Sequence, residues 1–191
     1  MFDFRKTALA FSCALAAGLA AHNAMAADAG TLTFTGVVTD STCDVAVNGG
    51  TNNETIALPR VPTKSLAKAG DVTGRTFVRL NLSNCSLAAG GSQVRAFWQA
   101  SPQINANGRL INEDATATGG AKNVEIEMLN DAQASIDLSQ PDGLQKSTVA
   151  TITGAAGSGT AELVHYAQYY ATGPSTPGTV KATLQYVLSY I

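Results

Sequence analysis

Side chains able to do chemistry are scarce in this sequence. Cys13, Cys43 and Cys85 are its only thiols, and His22 and His165 its only imidazoles. A multi-histidine metal site needs imidazoles gathered in space, and an acyl-transfer triad needs one held between a serine and a carboxylate. A single histidine in the body of the chain excludes the first and leaves little room for the second. His165, beside Tyr166 in a strand-like run, reads as a strand side chain rather than a catalytic base. No Gly-x-Ser-x-Gly elbow, phosphate-cradling glycine loop or His-Glu-x-x-His is present. Two carboxylate pairs could in principle share a proton. Glu113-Asp114 falls in a turn and Glu125/Glu127 on the polar face of a strand, so solvated surface is the expectation for both. Tyr166, Tyr169, Tyr170, Tyr186 and Tyr190 could form a sugar-binding platform, but tyrosine is also an ordinary strand residue. No enzyme and no cofactor is expected.

The cysteines are the exception. Arg5 and Lys6 precede a small-and-apolar run from Thr7 to Ala20, and Ala24-Met25-Ala26 puts small residues where a signal peptidase reads. The run is too short for a membrane span, which takes about 18 residues or more. Residues 1–26 are therefore expected to be a cleaved secretory signal. Its removal takes Cys13 and His22, leaving Cys43 and Cys85 in an exported chain. Such a pair is expected to form a disulfide; two buried thiols are the alternative. Closing that loop stabilises by about 4 kcal/mol on chain-entropy reasoning. Either way the role is structural, since no second thiol or histidine stands near enough to activate a nucleophile.

The elements that must hold these residues read as strands. Of 191 residues, 45% are hydrophobic and only 14% charged, with a formal net charge of -2. That balance argues against nucleic acid as a partner and against global disorder. Short Val/Ile/Thr/aromatic runs recur between Gly, Pro, Asn and Asp. Thr31–Val38, Thr76–Leu82 and Asn123–Met128 alternate, with Val78, Leu80 and Leu82, then Val124, Ile126 and Met128, on the apolar faces. Further strands are expected at Glu54–Leu58, Gln93–Trp98, Ala134–Leu138, Thr148–Ile152, Ala161–Ala171 and Thr179–Tyr190, and one helical turn at Thr63–Lys68, with Thr63 as its cap. The series predicts a single all-β domain, a β-sandwich with one face of each sheet solvated.

The two ends carry the most information. Gly30, Leu32, Phe34, Gly36 and Val38 share one parity in a Thr-rich strand. Ala182, Leu184, Tyr186, Leu188 and Tyr190 alternate up to the penultimate residue. A last strand with nothing to cover its far edge leaves backbone groups unpaired and an apolar groove open, a hazard that a matching strand from a neighbouring copy would remove. Alternatively, both are ordinary strands pairing within one chain.

Gly30-Thr-Leu-Thr-Phe-Thr-Gly36-Val-Val38 followed by Cys43 resembles the start of chaperone–usher pilins of the type 1 fimbrial major-subunit-like family. So do Leu66-Ala67 and Gly70 before a strand ending in Asn84-Cys85. Tyr169-Tyr170-Ala171-Thr172-Gly173, Thr176-Pro177-Gly178 and the penultimate Tyr190 resemble that family's C-terminal end. The resemblance implies an incomplete immunoglobulin-like β-sandwich that lacks its final strand. A donor strand from a neighbouring subunit completes it by donor-strand complementation, an established form of β-strand addition. It divides the chain into a signal at 1–26, a donor extension at 27–36 and a pilin domain at 37–191. By position, Asp28, Gly30, Leu32, Phe34 and Gly36 form the donor strand, with Leu32 and Phe34 as plugs, Gly30 as the small residue of close approach and Asp28 first by parity. Leu184, Tyr186, Leu188, Tyr190 and Ile191 form the edge strand that pairs first with the chaperone.

The implied partners are identical or related pilin subunits in a head-to-tail polymer, a periplasmic chaperone and an outer-membrane usher. The route runs through the periplasm to a fimbrium on the cell surface that supports adhesion, with a host-surface receptor as a further candidate partner. The competing expectation is a minor or tip subunit acting as a glycan-binding adhesin. A two-domain adhesin would need a lectin domain ahead of the pilin domain, for which this length leaves no room, and would lack a free donor strand.

Overall fold

The computed structural model describes residues 32–33, 42–86 and 93–191. The chain divides into two compact units, Met1–Val37 and Val38–Ile191, and the architecture that follows is that of the second.

Alternation produces the long strands. In β2 (Val72–Cys85), Val78, Leu80 and Leu82 are buried on one face while Phe77 and Arg79 point outward. Its partner β7 (Gly159–Ala171) buries Leu163, His165 and Ala167 on the matching parity. Around this pair lie β1 (Asp44–Val47), β5 (Val124–Leu129) and β4 (Leu110–Ile111), giving an antiparallel sheet of order β1-β2-β7-β5-β4. A second sheet has the order β6-β3-β8, from β3 (Gln93–Trp98), β6 (Val149–Thr151) and β8 (Tyr186–Tyr190). Leu80 and Leu163 of one sheet share a core with Val94, Ala96 and Trp98 of the other, which makes the fold a β-sandwich.

Two glycines are required by their surroundings. Gly74 has φ +70° at the register shift in β2, and a Cβ there would sit 2.8 Å from the Tyr169 ring. Gly159 faces Cys85 across the ladder, where a Cβ would lie 2.9 Å from Ile152 Cγ2 and 3.2 Å from Cys85 Cβ. Cys43 and Cys85 are disulfide-bonded, with Cα atoms 4.1 Å apart. The bond ties the start of β1 to the end of β2, and Cys85 is fully buried.

Several sequence expectations are corrected. Residues 54–58 and 134–138 are not strands: Ile56, Leu58, Ile136 and Leu138 pack on the core, but the only ladder contact is an isolated bridge at Ser135. The helical turn is a short 3-10 turn over Thr63–Leu66. Pro62 rather than Thr63 occupies the cap, with no side-chain bond there, and Asp71 Oδ2 accepts from the Ala67 and Lys68 amides at the turn's far end. The last strand begins at Tyr186, not Thr179. Leu184 therefore precedes the strand, because β3 ends at Trp98, opposite Tyr186, and only one further bond, from the Gln99 amide to the Gln185 carbonyl, follows. Before that point Asn112 Oδ1 accepts from the Lys181 amide, and the Glu113 amide donates to the Lys181 carbonyl. Glu127 is buried, not solvated. Residues 130–135 loop back beside β5, and Glu127 accepts from Ser135 Oγ at 2.9 Å and from Gln168 Nε2 at 2.7 Å.

Candidate functional site: a groove between two strand edges

Among the described residues β4 and β6 are edge strands, and so are β1, paired only with β2, and β8, paired only with β3. The inner faces of β1 and β8 meet the same core. From the β1 side come Cys43, Val45, Ile56 and Leu58; from the C-terminal side come Val180, Ala182, Leu184, Tyr186, Leu188 and Tyr190. Each is only half-buried, whereas the inward residues Leu80, Val94 and Leu163 are 1%, 0% and 0% exposed. Apolar surface thus lies partly uncovered along a line flanked by two sets of unpaired strand groups.

Two tyrosines cross that line. The Tyr186 hydroxyl donates to the Asn52 carbonyl at 2.9 Å, in the loop after β1, and its ring meets Trp98 edge-on at 6.0 Å. A backbone hydrogen bond from Cys43 reaches the Tyr190 hydroxyl. Burial pushes both hydroxyls above the usual tyrosine range, so they remain neutral at physiological pH. Beyond them, Ile191 donates its amide to the Gln93 carbonyl at 2.9 Å, and its side chain is exposed.

Of the expected donor residues, Asp28, Gly30, Phe34 and Gly36 lie outside the described residues, as do the signal and its cleavage site. Leu32 is described and is 80% exposed. The expected edge residues Tyr186, Leu188 and Tyr190 share the inward face of β8, with Leu184 continuing that face ahead of the strand. Sequence reasoning missed Asn52, whose backbone contribution leaves no mark on residue type. It also missed Gln145, which is 2% exposed and clamps both the amide and the carbonyl of Trp98 beneath the groove.

The tyrosines form no common platform. Tyr166 stacks on exposed Phe77 at 4.8 Å and Tyr170 lies under Arg109 on the outer face, while Tyr169, Tyr186 and Tyr190 face the core. The structure does bring Ser147 Oγ within 3.1 Å of His165 Nε2, a pairing that sequence spacing did not reveal. His165 is fully buried, edge-on to Trp98, and its Nδ1 has no side-chain hydrogen-bond partner among the described residues. Burial lowers its pKa to about 4, against a weaker opposing pull from Asp131, which makes the imidazole a poor base. Among the described residues no cluster of His, Cys, Asp or Glu could hold a metal ion.

The family described as type-1 fimbrial protein, A (FimA) matches residues 58–191. The chain is 36% identical over 177 residues to the major fimbrial subunit SMF-1 of Stenotrophomonas maltophilia, covering 92% of this chain and 98% of that protein. It is also 36% identical over 174 residues to the F17 fimbrial protein of Escherichia coli, covering 90% and 92% respectively. The crystal structure of the P pilus rod subunit PapA aligns with a TM-score of 0.57 over 78% of this chain and 99% of that one. At 17% identity, that likeness is one of fold: the immunoglobulin-like sandwich of pilins. With its strand order, its disulfide and its match over residues 58–191, the chain belongs to the type-1 fimbrial protein family and is a structural subunit of a fimbria.

Proposed function

We propose that this subunit is completed in trans, residues 28–36 of one copy filling the groove between β1 and β8 of the next. The carrying observation is the contrast in burial. Apart from Val47, which is buried, inward apolar residues at the two strand edges are half-covered, while Leu80, Val94 and Leu163 of the inner strands are fully covered. An added strand supplies both missing quantities. Its alternating Leu32 and Phe34 contribute roughly 2–3 kcal/mol each on burial. Its backbone also pairs with donors and acceptors that the edges leave open. Repeated head to tail, the exchange gives a fibre whose lifetime is set by the rate of strand withdrawal.

The open groove needs protection before assembly. A periplasmic chaperone fits that role by pairing with β8, with the Ile191 carboxylate making a charge-assisted contact to a cation on the chaperone. An outer-membrane usher then delivers the subunit to a surface fimbria that supports adhesion, a structural role without catalysis.

The test joins residues 28–36 behind Ile191 through a flexible Gly/Ser linker. The strand then fills its own groove, giving a monomer more stable than the unmodified subunit and unable to join fibres. A linked chain that is no more stable, or that still sediments as polymer, contradicts the proposal.

A further inference from the structure

Among the described residues, the outer face of the large sheet carries aromatic side chains in two settings. The Tyr170 ring is covered by the Arg109 guanidinium at 3.8 Å, and Arg109 Nε is held by Glu125 Oε2 at 2.7 Å, with both charged side chains 16% exposed. Ring, cation and carboxylate satisfy one another, and that site is closed. Phe77 is 53% exposed. Its cross-strand partner Tyr166 meets it at 4.8 Å and the Arg79 guanidinium stands 5.7 Å from its centroid, yet half of the residue stays open to solvent. We infer that the recess around Phe77 binds a neutral pyranose, its C–H face on Phe77 and its hydroxyls on Arg79, Asn81 and Glu162. The site lies away from the groove between β1 and β8 and does not depend on how that groove is filled.

The recess has a volume of about 410 Å³ and is lined by Asn48, Gly49, Phe77, Arg79 and Asn81. That size admits a small ligand. Its rim is fixed by Asn48, which has φ +49° and uses its side chain as a further piece of ladder. Asn48 Nδ2 donates to the Phe77 carbonyl at 3.1 Å, and Oδ1 accepts from the Arg79 amide at 2.9 Å. The Asn48 amide in turn donates to the Arg79 carbonyl at 2.8 Å. These bonds hold the loop after β1 against β2, so the recess exists before a ligand arrives and little ordering is left to be done on binding.

A pyranose asks for an aromatic face to meet its C–H groups and for planar polar groups that donate to and accept from adjacent hydroxyls. Both are present. Arg79 Nε has no hydrogen-bond partner, and its approach to Glu162 Oε2 is a long 3.5 Å with the side chains 44% and 48% exposed. Asn81 Nδ2 donates to that same oxygen at 3.1 Å, which leaves Asn81 Oδ1 and Glu162 Oε1 as acceptors. Arg79 and Glu162 offset each other's charge, so the recess favours a neutral sugar over an acidic one. A single shallow site of this kind binds weakly. A fimbria repeats it on every subunit, and a surface bearing many such sugars then gains affinity through effective concentration.

Purified fibres titrated with polyacrylamide carrying β-galactoside, β-glucoside or α-mannoside test this, with bound sugar counted per subunit. At least one of these probes is expected to bind, saturating near about one sugar per subunit. Phe77→Ala is expected to weaken that binding about tenfold, the size of one lost aromatic contact. Phe77→Trp keeps the aromatic face and should keep binding, a rescue that a loss of fold would not show. Tyr170→Phe, at the closed site, should leave it unchanged. Should Phe77→Ala fail to assemble, Arg79→Gln and Asn81→Leu carry the test, each expected to weaken binding in fibres of normal length. No binding of any of the probes overturns the inference and marks the Phe77 face as a contact between copies or as bare surface. Saturation at about one sugar per fibre, or equal binding by the Phe77, Arg79 and Asn81 variants, overturns it as well.

Discussion

The centre of the large sheet and the rim of the sandwich are built from the same residue types to opposite ends. In β2 and β7 the inward Val78, Leu80, Leu82 and Leu163 are buried, and the two strands pair along a long antiparallel ladder. At β1 and β8 equally apolar residues, Val47 apart, stop half-covered, and each strand is paired on one side only among the described residues. Composition does not separate the two regions; how completely the inward face is covered does. The centre is closed within the subunit, and the rim leaves apolar surface half-covered, where the proposed donor strand would add.

The disulfide is the strongest link between the regions, and removing it should break the comparison most severely. Replacing Cys43 and Cys85 with serine restores the freedom of the loop between them and should lower stability by about 4 kcal/mol on chain-entropy reasoning. Urea titration measures the loss, and an unchanged midpoint would show that β1 is held by other contacts.

Truncating the core should separate centre from rim directly. Leu163→Ala removes a fully buried side chain and should cost about 3–4 kcal/mol. Leu188→Ala removes a half-covered one and should cost about 1 kcal/mol in the free subunit, rising toward the Leu163 value once a strand is added. Equal costs in the free subunit would mean that the rim is already complete.

His165 gives the centre a pH dependence of its own. Its folded pKa of about 4 lies below the ordinary 6.5, so between those values the unfolded chain binds the extra proton. Its contribution is therefore intact above about pH 6.5 and is lost as pH falls toward 4. The total is about 3 kcal/mol from a shift of that size. His165→Gln should flatten the stability curve across this window, and an unaltered slope would place the acid sensitivity elsewhere.

Much of this division could be read from the sequence. Val78, Leu80 and Leu82, and Val124, Ile126 and Met128, fall on the buried faces that alternation assigned them, and β3 spans the expected Gln93–Trp98. The misses share a cause. Alternation reports which side chains face inward, not whether a strand stands beside them. Residues 54–58 and 134–138 therefore bury their apolar side chains without a ladder, and the C-terminal run keeps its inward face through Val180, Ala182 and Leu184 while pairing only from Tyr186. Glu127 was misread because nothing in its own strand announces the loop that covers it, and Gln168 gave no sign of the bond it donates there. The site was legible as a row of residues but not as a groove. The Tyr186 contact with Asn52 joins positions on opposite sides of the sandwich, one of them through a backbone carbonyl.

Amide hydrogen exchange on the subunit before and after assembly tests the central claim most directly, since it reads backbone pairing strand by strand. The account predicts that β2 and β7 are protected in both states. The outward-edge amides of β1 and β8 should exchange rapidly in the free subunit and become protected in the fibre. Rim amides already protected in the free subunit to the level of β7, with no gain on polymerisation, would contradict it.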